Sequence, residues 1–420
     1  METIRMNSKP TVCALDIGST KVSLFVAEAT ADGVKVIGKG VVKHSGVKQG
    51  AIVDIGQTTD AIRKAKREAE LSSGHDLRDV YVSIGGLNIK SFDSNGLAAV
   101  DGSEVDSKDI ENALKTAQAV MLPDDREIIH ALPKEYILDG LGEITNPLGM
   151  RGVRLETNVH LIAGSRTLFP NILKCVEGAG LRAKEFVLQQ YASSKAVLST
   201  EEKELGVCLV EIGGGTSEWI IYKQGVVVAT GAVGVGGANF TNDLAIGLRT
   251  APVNAERIKI EYGQCSFDSL EDEFIEVEEV GNRGSRSFSK RTLAEIIGPR
   301  AQETLQLITE DIEASGFGHE LAAGVVLTGG GSKLRGLVEA GADLNFSLRV
   351  AAPHISTNTN EVIDSADYSC VAGLLVHACS KMKIRKKDLQ RGASATGAAS
   401  SGVEDSFKSF GKQFKDFIGL

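Results

Sequence analysis

One pattern occurs twice in this chain and limits its fold more than any other feature. The stretch VCALDIGSTKVSLFVAEATADGVKVIGKGVV begins at Val12, and VCLVEIGGGTSEWIIYKQGVVVATGAV begins at Val207. Each reads as an apolar strand ending in an acid, a glycine-rich turn, a returning apolar strand, a second turn with glycine and a third strand. Short Val/Ile/Leu runs broken by glycine suit strands better than helices. Two such units, far apart in a chain of 420 residues that is too long for one ordinary core, predict two duplicated α/β lobes facing each other.

The turns carry the chemistry. In DIGSTK and EIGGGT the glycines Gly18, Gly213, Gly214 and Gly215 allow a tight turn and a close approach of backbone N–H groups to an anion. Ser19, Thr20 and Thr216 add hydroxyl donors and Lys21 adds a positive charge. Two such hairpins from opposite lobes would clamp a polyphosphate. The acids just before them, Asp16 and Glu211, are expected to hold Mg²⁺ through its waters, as hard oxygen ligands do.

Two further elements point to a nucleotide. AAGVVLTGGGSKLRGL reads as a buried strand, a turn of Gly329, Gly330 and Gly331, and a helix starting near Ser332, whose free N–H groups would attract an anion. In APVNAERIKIEYG, Glu256 and Lys259 are three apart on a helix and can point the same way, to suit the two hydroxyls of a ribose. A plain surface ion pair is the alternative for that couple.

Composition narrows the class. A formal net charge of −9 argues against a nucleic-acid partner. The six cysteines share no metal or redox spacing and read as buried free thiols of a reducing cytoplasm. The polar segment Met1 to Pro10 does not read as a signal peptide, and no uninterrupted apolar run is long enough to span a bilayer. Any membrane contact is therefore expected to be peripheral.

The order of these motifs resembles the actin/Hsp70/sugar-kinase superfamily. GVCLVEIGGGTSEWIIY, RTLAEIIGPR and LAAGVVLTGGGSKLRGL narrow the resemblance to the FtsA family of bacterial actin-like division proteins, over residues from about 10 to 385 plus the tail. The resemblance implies RNase H-type lobes around an ATP cleft. It places Asp16, Gly18, Ser19, Thr20 and Lys21 in the first phosphate motif and Gly213, Gly214, Gly215 and Thr216 in the second. Gly236 and Gly237 match the turn into the 2B lobe, and Glu256, Lys259, Gly329, Gly330 and Gly331 match the nucleoside contacts. Gln190 stands near the place where relatives carry the polar residue that orients the attacking water. The second motif departs from the family by having Glu211 in place of the usual Asp, which moves the carboxylate one methylene towards the phosphates. Because Mg²⁺ demands near-ideal octahedral geometry, ATP is expected to bind tightly and be hydrolysed slowly, if at all.

The resemblance also implies a domain plan. Lobe 1A is expected over 9–83 with 163–205 and 360–385, an inserted 1C subdomain over 84–162, lobe 2A over 206–240 with 305–359, and lobe 2B over 241–304. DVYVSIGG and NVHLIAGSR read as lobe 1 strands flanking the insertion. Within it, DSKDIENALKTAQAV reads as a helix capped by Asp106 and Asp109, with Ile110, Leu114, Ala117 and Met121 on one face. In the family this subdomain is implied to contact neighbouring subunits and later division proteins; a spacer with no partner is the alternative. Lobe 2B is implied to take the C-terminal tail of FtsZ, and its basic cluster, Arg283, Arg286, Lys290, Arg291 and Arg300, suits an acidic peptide. A solvated charged face is the alternative.

The chain's end is amphipathic. After a tether of small polar residues over 386–403, residues 404–420 place Phe407, Phe410, Phe414, Phe417 and Ile418 within an arc of about 100° on a helix. Lys408, Lys412 and Lys415 fall beside them. Such a helix lies in an anionic membrane surface with its aromatic face down; docking on the protein's own body is the alternative. The expectation is thus an ATP-binding, filament-forming protein that anchors FtsZ filaments at the cytoplasmic face of the cell membrane at the division site. A PilM-type pilus-assembly ATPase and a superfamily phosphotransfer enzyme such as a sugar kinase are the alternatives.

Overall fold

The computed structural model describes residues 11–30, 33–266, 273–281, 283–358 and 362–395, with side chains described as far as 382. The two copies of the repeated pattern become the centres of two sheets. In the first, Gly33–Lys43, Lys21–Thr30 and Thr11–Ile17 form an antiparallel meander, with Asp79–Ile84 and Arg182–Leu188 added in parallel. In the second, Val226–Val233, Ser217–Lys223 and Val207–Ile212 form the meander, with Val325–Thr328 and Leu348–Val350 added in parallel. The two strand orders are the same, as duplicated RNase H-type lobes require. Thr11–Ile17 and Val207–Ile212 are buried almost without a break, because packing covers both faces of each sheet.

The helices lie where the glycines permit. Ile55–Ser73 starts at Asp54, whose carboxylate accepts from the Gln57 N–H, and ends at Gly74 in the left-handed region (φ 71°). It crosses the third strand so closely that a Cβ on Gly40 would stand 1.9 Å from the Ala65 carbonyl oxygen. Gly40→Ala must push helix from sheet, so we expect a loss of about 3 kcal/mol, at the upper end for overpacking. Gly56→Ala, in the same helix with ordinary clearance, should be neutral or slightly stabilising. Thermal unfolding of the two variants beside the wild type checks the pair.

The insertion is a sheet of its own. Its strand order is Ile89–Ala99, Arg154–Ser165, Arg126–Leu138, Leu141–Ile144, covered by the helix Ser107–Gln118. Asp106 and Asp109 form the expected reciprocal cap. Ala113 and Ala117 are the fully buried face of that helix, with Ile110 and Leu114 packed partly against the subdomain cores. Two expectations need correction here. NVHLIAGSR belongs to Arg154–Ser165, a central strand of the insertion, and the edge of the first sheet is Arg182–Leu188 instead. Met121 lies beyond the helix and is fully exposed.

Beyond the second sheet come the helices Gly237–Leu248 and Pro252–Tyr262, the hairpin Phe274–Glu278 with Ser285–Ser289, and the long helix Lys290–Ala314. The chain rejoins the first sheet earlier than expected, because Ile355–Thr357 pairs in parallel with Gly33–Lys43 through Ser356 and Lys35. The helix Ser369–Ala395 covers residues 386–395, which read from sequence as the start of the tether. By contact density the chain divides at His377 into a large unit and a smaller C-terminal one. All six cysteines are buried thiols outside any disulfide. No helix among the described residues is long and apolar enough to cross a membrane. The tail residues Phe407, Lys408, Phe410, Lys412, Phe414, Lys415, Phe417 and Ile418 lie outside the described residues.

Candidate functional site

The two acid-bearing hairpins close in the same way. The Gly18 N–H donates to the Lys21 carbonyl at 3.0 Å, and the Gly213 N–H donates to the Thr216 carbonyl at 2.9 Å. Their tips meet across the lobes. A Cβ on Gly214 would lie 2.5 Å from Thr20 Cγ2, and one on Gly215 would lie 3.0 Å from Ser19 Oγ. Gly236 backs onto the second turn, where a Cβ would stand 2.8 Å from the Gly213 carbonyl oxygen. From there the helix Gly237–Leu248 departs, with the Gly237 and Ala238 N–H groups donating to the Gly213 and Gly214 carbonyls at 2.9 and 2.7 Å. Only glycine fits these contacts, which is why the motif is so rich in it.

Under the turns lies a set of buried carboxylates. Asp16 accepts from Ser83 Oγ at 2.7 Å. Glu211 accepts from Ser193 Oγ at 2.5 Å and from the Gln189 side chain. Glu218, which sequence reasoning did not single out, accepts from Thr216 Oγ1 at 2.6 Å and from the Gly86 N–H, and its Oε2 is buried without a partner. Burial pushes Glu211 up to about 8 and Glu218 up to about 7, and the charge on Asp16 adds to both shifts. Burial raises Asp16 as well. Three acids held in mutual repulsion form a site that a cation would relieve. Among the described residues no three acid, histidine or cysteine side chains converge closely enough to ligate one ion directly. The arrangement therefore fits a hydrated hard cation held through its waters, the expectation for Mg²⁺.

Glu256 and Lys259 pair with each other, which both readings of the couple allow. Lys259 Nζ lies 2.7 Å from Glu256, 2.8 Å from Thr241 Oγ1 and 2.9 Å from the Gly237 carbonyl, so the pair is tied to the start of the helix behind the second turn. The third glycine turn packs on the strand of the second. Gly329 adopts φ 83°, and a Cβ there would stand 2.6 Å from the Ile212 carbonyl oxygen. The helix expected to start near Ser332 does not form. Gly330, Gly331, Ser332 and Lys333 make a single 3₁₀ turn instead, and the next α-helix is the short Leu337–Ala340, after Gly336 at φ 76°. Gly336 in the left-handed region breaks the helical path between the two. Ser332 Oγ closes its own turn by donating to the Gly329 carbonyl at 2.8 Å.

Two other residues differ from expectation. Gln190 is buried, its amide nitrogen reaching the Trp219 and Gly231 carbonyls at 3.5 Å, and it lines a small cavity beside Glu218. Its neighbour Gln189 is the one beside Glu211. Lys21 does not project freely: its ammonium bonds Asp367 at 2.6 Å and lies 4.2 Å from the centre of the Tyr368 ring. The basic residues of the 2B region are likewise engaged. Arg286 pairs with Glu279 at 3.1 Å, Lys290 pairs with Glu273, and Arg300 pairs with Asp243 at 2.5 Å. Glu218 did leave a signal in the sequence, since it stands two residues past Thr216 on the same side of a strand. Gln189, Ser83 and Ser193 left none.

Comparison with known proteins places this geometry in context. The family model described as "Cell division protein FtsA" matches residues 208–373, and that of the SHS2 domain inserted in FtsA matches 86–163, the inserted sheet described above. The cell division protein FtsA of Pseudomonas aeruginosa is 39% identical over 374 residues, covering 88% of this chain and 89% of that protein. That of Bacillus subtilis is 37% identical, covering 91% and 87%, and that of Escherichia coli 35%, covering 89% and 91%. Among solved structures, a PilM–PilN type IV pilus biogenesis complex aligns over 89% of this chain and 99% of its own, with TM-score 0.63 and 16% identity. MreB5 of Spiroplasma citri bound to ADP aligns over 91% and 98%, with TM-score 0.53 and 12% identity. At these identities the two structures speak for the fold, which is actin-like.

Proposed function

Because the chain belongs to the FtsA family of cell division proteins, we propose that it is an actin-like ATP-binding protein that polymerises and anchors FtsZ filaments to the cytoplasmic face of the cell membrane. The observation that carries the nucleotide reading is the pair of matched glycine turns, Gly18–Lys21 and Gly213–Thr216, meeting above Asp16, Glu211 and Glu218. ATP phosphates would be held by the backbone of those turns, and Glu256 and Lys259 would take the ribose. A Mg²⁺ ion would supply the positive charge that the three acids lack. Glu211 and Asp16 would orient its waters, and Gln189, beside Glu211, is better placed than Gln190 to touch one of them.

The extra methylene of Glu211, set against the near-ideal octahedral geometry that Mg²⁺ demands, favours tight binding and slow turnover. ATP then serves as a conformational ligand for polymerisation. The inserted subdomain is the surface we assign to neighbouring subunits and later division proteins, and residues 404–420 to the membrane. Equilibrium binding of Mg·ATP, then co-sedimentation with FtsZ filaments and anionic vesicles, tests the assignment. Failure to bind ATP would remove the nucleotide half of it.

The region 241–304 is the proposed receptor for the acidic FtsZ tail. Arg286 and Lys290 already hold Glu279 and Glu273 on the hairpin and its approach, so an incoming acidic peptide must exchange with these partners. Replacing both by glutamate should therefore weaken FtsZ capture at least tenfold, from lost attraction and added repulsion. A pull-down with immobilised FtsZ tail peptide that is unchanged by R286E/K290E removes both residues from the site.

A further inference from the structure

The short segment Ser365–Cys370 touches the first strand at Asp16, the end of the first turn at Lys21 and the third turn at Gly329 and Lys333. The Gly329 N–H of the third turn donates to the Ala366 carbonyl at 3.1 Å, and Thr328 and Ser369 hydroxyls lie 2.6 Å apart. Cys370 hydrogen-bonds Asp16. Between these contacts stands Asp367. Its carboxylate gathers two lysines, one from each lobe: Lys21 beyond the first turn at 2.6 Å, and Lys333 in the third turn at 3.4 Å. Ser365 Oγ also donates to Asp367, and Lys333 bonds Ser365 at 3.0 Å. Lys21 and Asp367 are both largely shielded, with about a fifth of each side chain exposed. A carboxylate shared by two lysines of glycine-rich turns occupies the electrostatic position of a bound phosphate.

We propose that Asp367 is a built-in counter-anion of the cleft, holding Lys21 and Lys333 together in the absence of a polyphosphate and surrendering Lys21 to one when it binds. The inference rests on the nucleotide reading above and adds its regulation: the protein's own acid sets the affinity of the site by competing with the ligand. One charge traded for another keeps Lys21 paired throughout, so neither state leaves a shielded ammonium alone.

The test uses the full-length protein and Mg·ATP. Asp367→Asn keeps the shape and removes the charge. It should tighten Mg·ATP binding about fivefold to tenfold, because Lys21 is no longer contested. Asp367→Ser is the second variant, should the first not fold. Lys21→Met should weaken binding, and adding Asp367→Asn to it should restore little, since the contested lysine is gone. Unchanged or weaker binding in folded Asp367 variants overturns the counter-anion role while leaving the nucleotide reading intact, provided the wild type binds. Absence of Mg·ATP binding by the wild type overturns both.

Discussion

Glu211→Gln should make the ligand-free protein more heat-stable at pH 8 by several degrees and leave it unchanged near pH 4.5. Burial, reinforced by the charges on Asp16 and Glu218, raises Glu211 from its ordinary 4.5 to about 8. Between those two values the folded protein keeps a proton that the unfolded chain releases. Stability contributed by this group is therefore complete below pH 4.5 and is lost as pH rises towards 8. Glu218, raised to about 7, adds a loss of the same sign over a narrower range. At 1.36 kcal/mol per unit, the penalty at pH 8 is on the order of a few kcal/mol.

A cation reverses the logic, because it favours the ionised acids. Wild-type affinity for Mg·ATP should thus rise between pH 6.5 and 8.5, with protons released on binding, and Glu211→Gln should flatten that rise. Thermal melts from pH 5 to 8.5, and titration calorimetry in two buffers of different ionisation heat, measure both. A wild-type melting temperature that climbs steadily to pH 8.5 would refute the assignment of Glu211 and Glu218 as buried, proton-holding acids.

Removal of residues 404–420 should abolish flotation with anionic vesicles while leaving Mg·ATP binding unchanged. The proposed helix sets four phenylalanines and Ile418 into the interface with three lysines at the headgroups. Each lysine contributes about 1 kcal/mol at an anionic surface. Replacing Lys408, Lys412 and Lys415 by glutamine should then weaken binding about a hundredfold on anionic vesicles and hardly at all on neutral ones. Replacing Phe410 and Phe414 by serine should weaken both. The individual helix is a modest anchor, since ordering it costs conformational entropy. Polymers bearing many tails should bind far more firmly. Flotation of a 1–403 truncation at the wild-type level would show that the tail is not the anchor.

The cleft was legible in unequal parts. Its turns could be read because their signal is local: an acid, glycines and a hydroxyl within six residues, repeated at Asp16 and at Glu211 with the same closing hydrogen bond. The capped helix at Asp106 was readable for the same reason. The errors fall where an outcome depends on distant packing. Gln189 and Gln190 have the same chemistry, and only the way the helix Gln189–Val197 meets the second sheet decides which one reaches Glu211. NVHLIAGSR has the pattern of any buried strand, so its sheet was settled by its neighbours Ile89–Ala99 and Arg126–Leu138.

The amino-acid sequence by itself thus determined the duplicated lobes, the phosphate-sized glycine corners and the amphipathic tail pattern, all of which are short-range regularities of side-chain size and polarity. Tertiary structure alone decided that Gln189 rather than Gln190 reaches Glu211, that Ser332 spends its hydroxyl on its own turn, and that Lys21 is met by Asp367 from 346 positions away. The physical reason is range. Backbone conformation answers to residues a few places apart, whereas burial, charge pairing and the protonation of an acid answer to whatever the fold brings beside it.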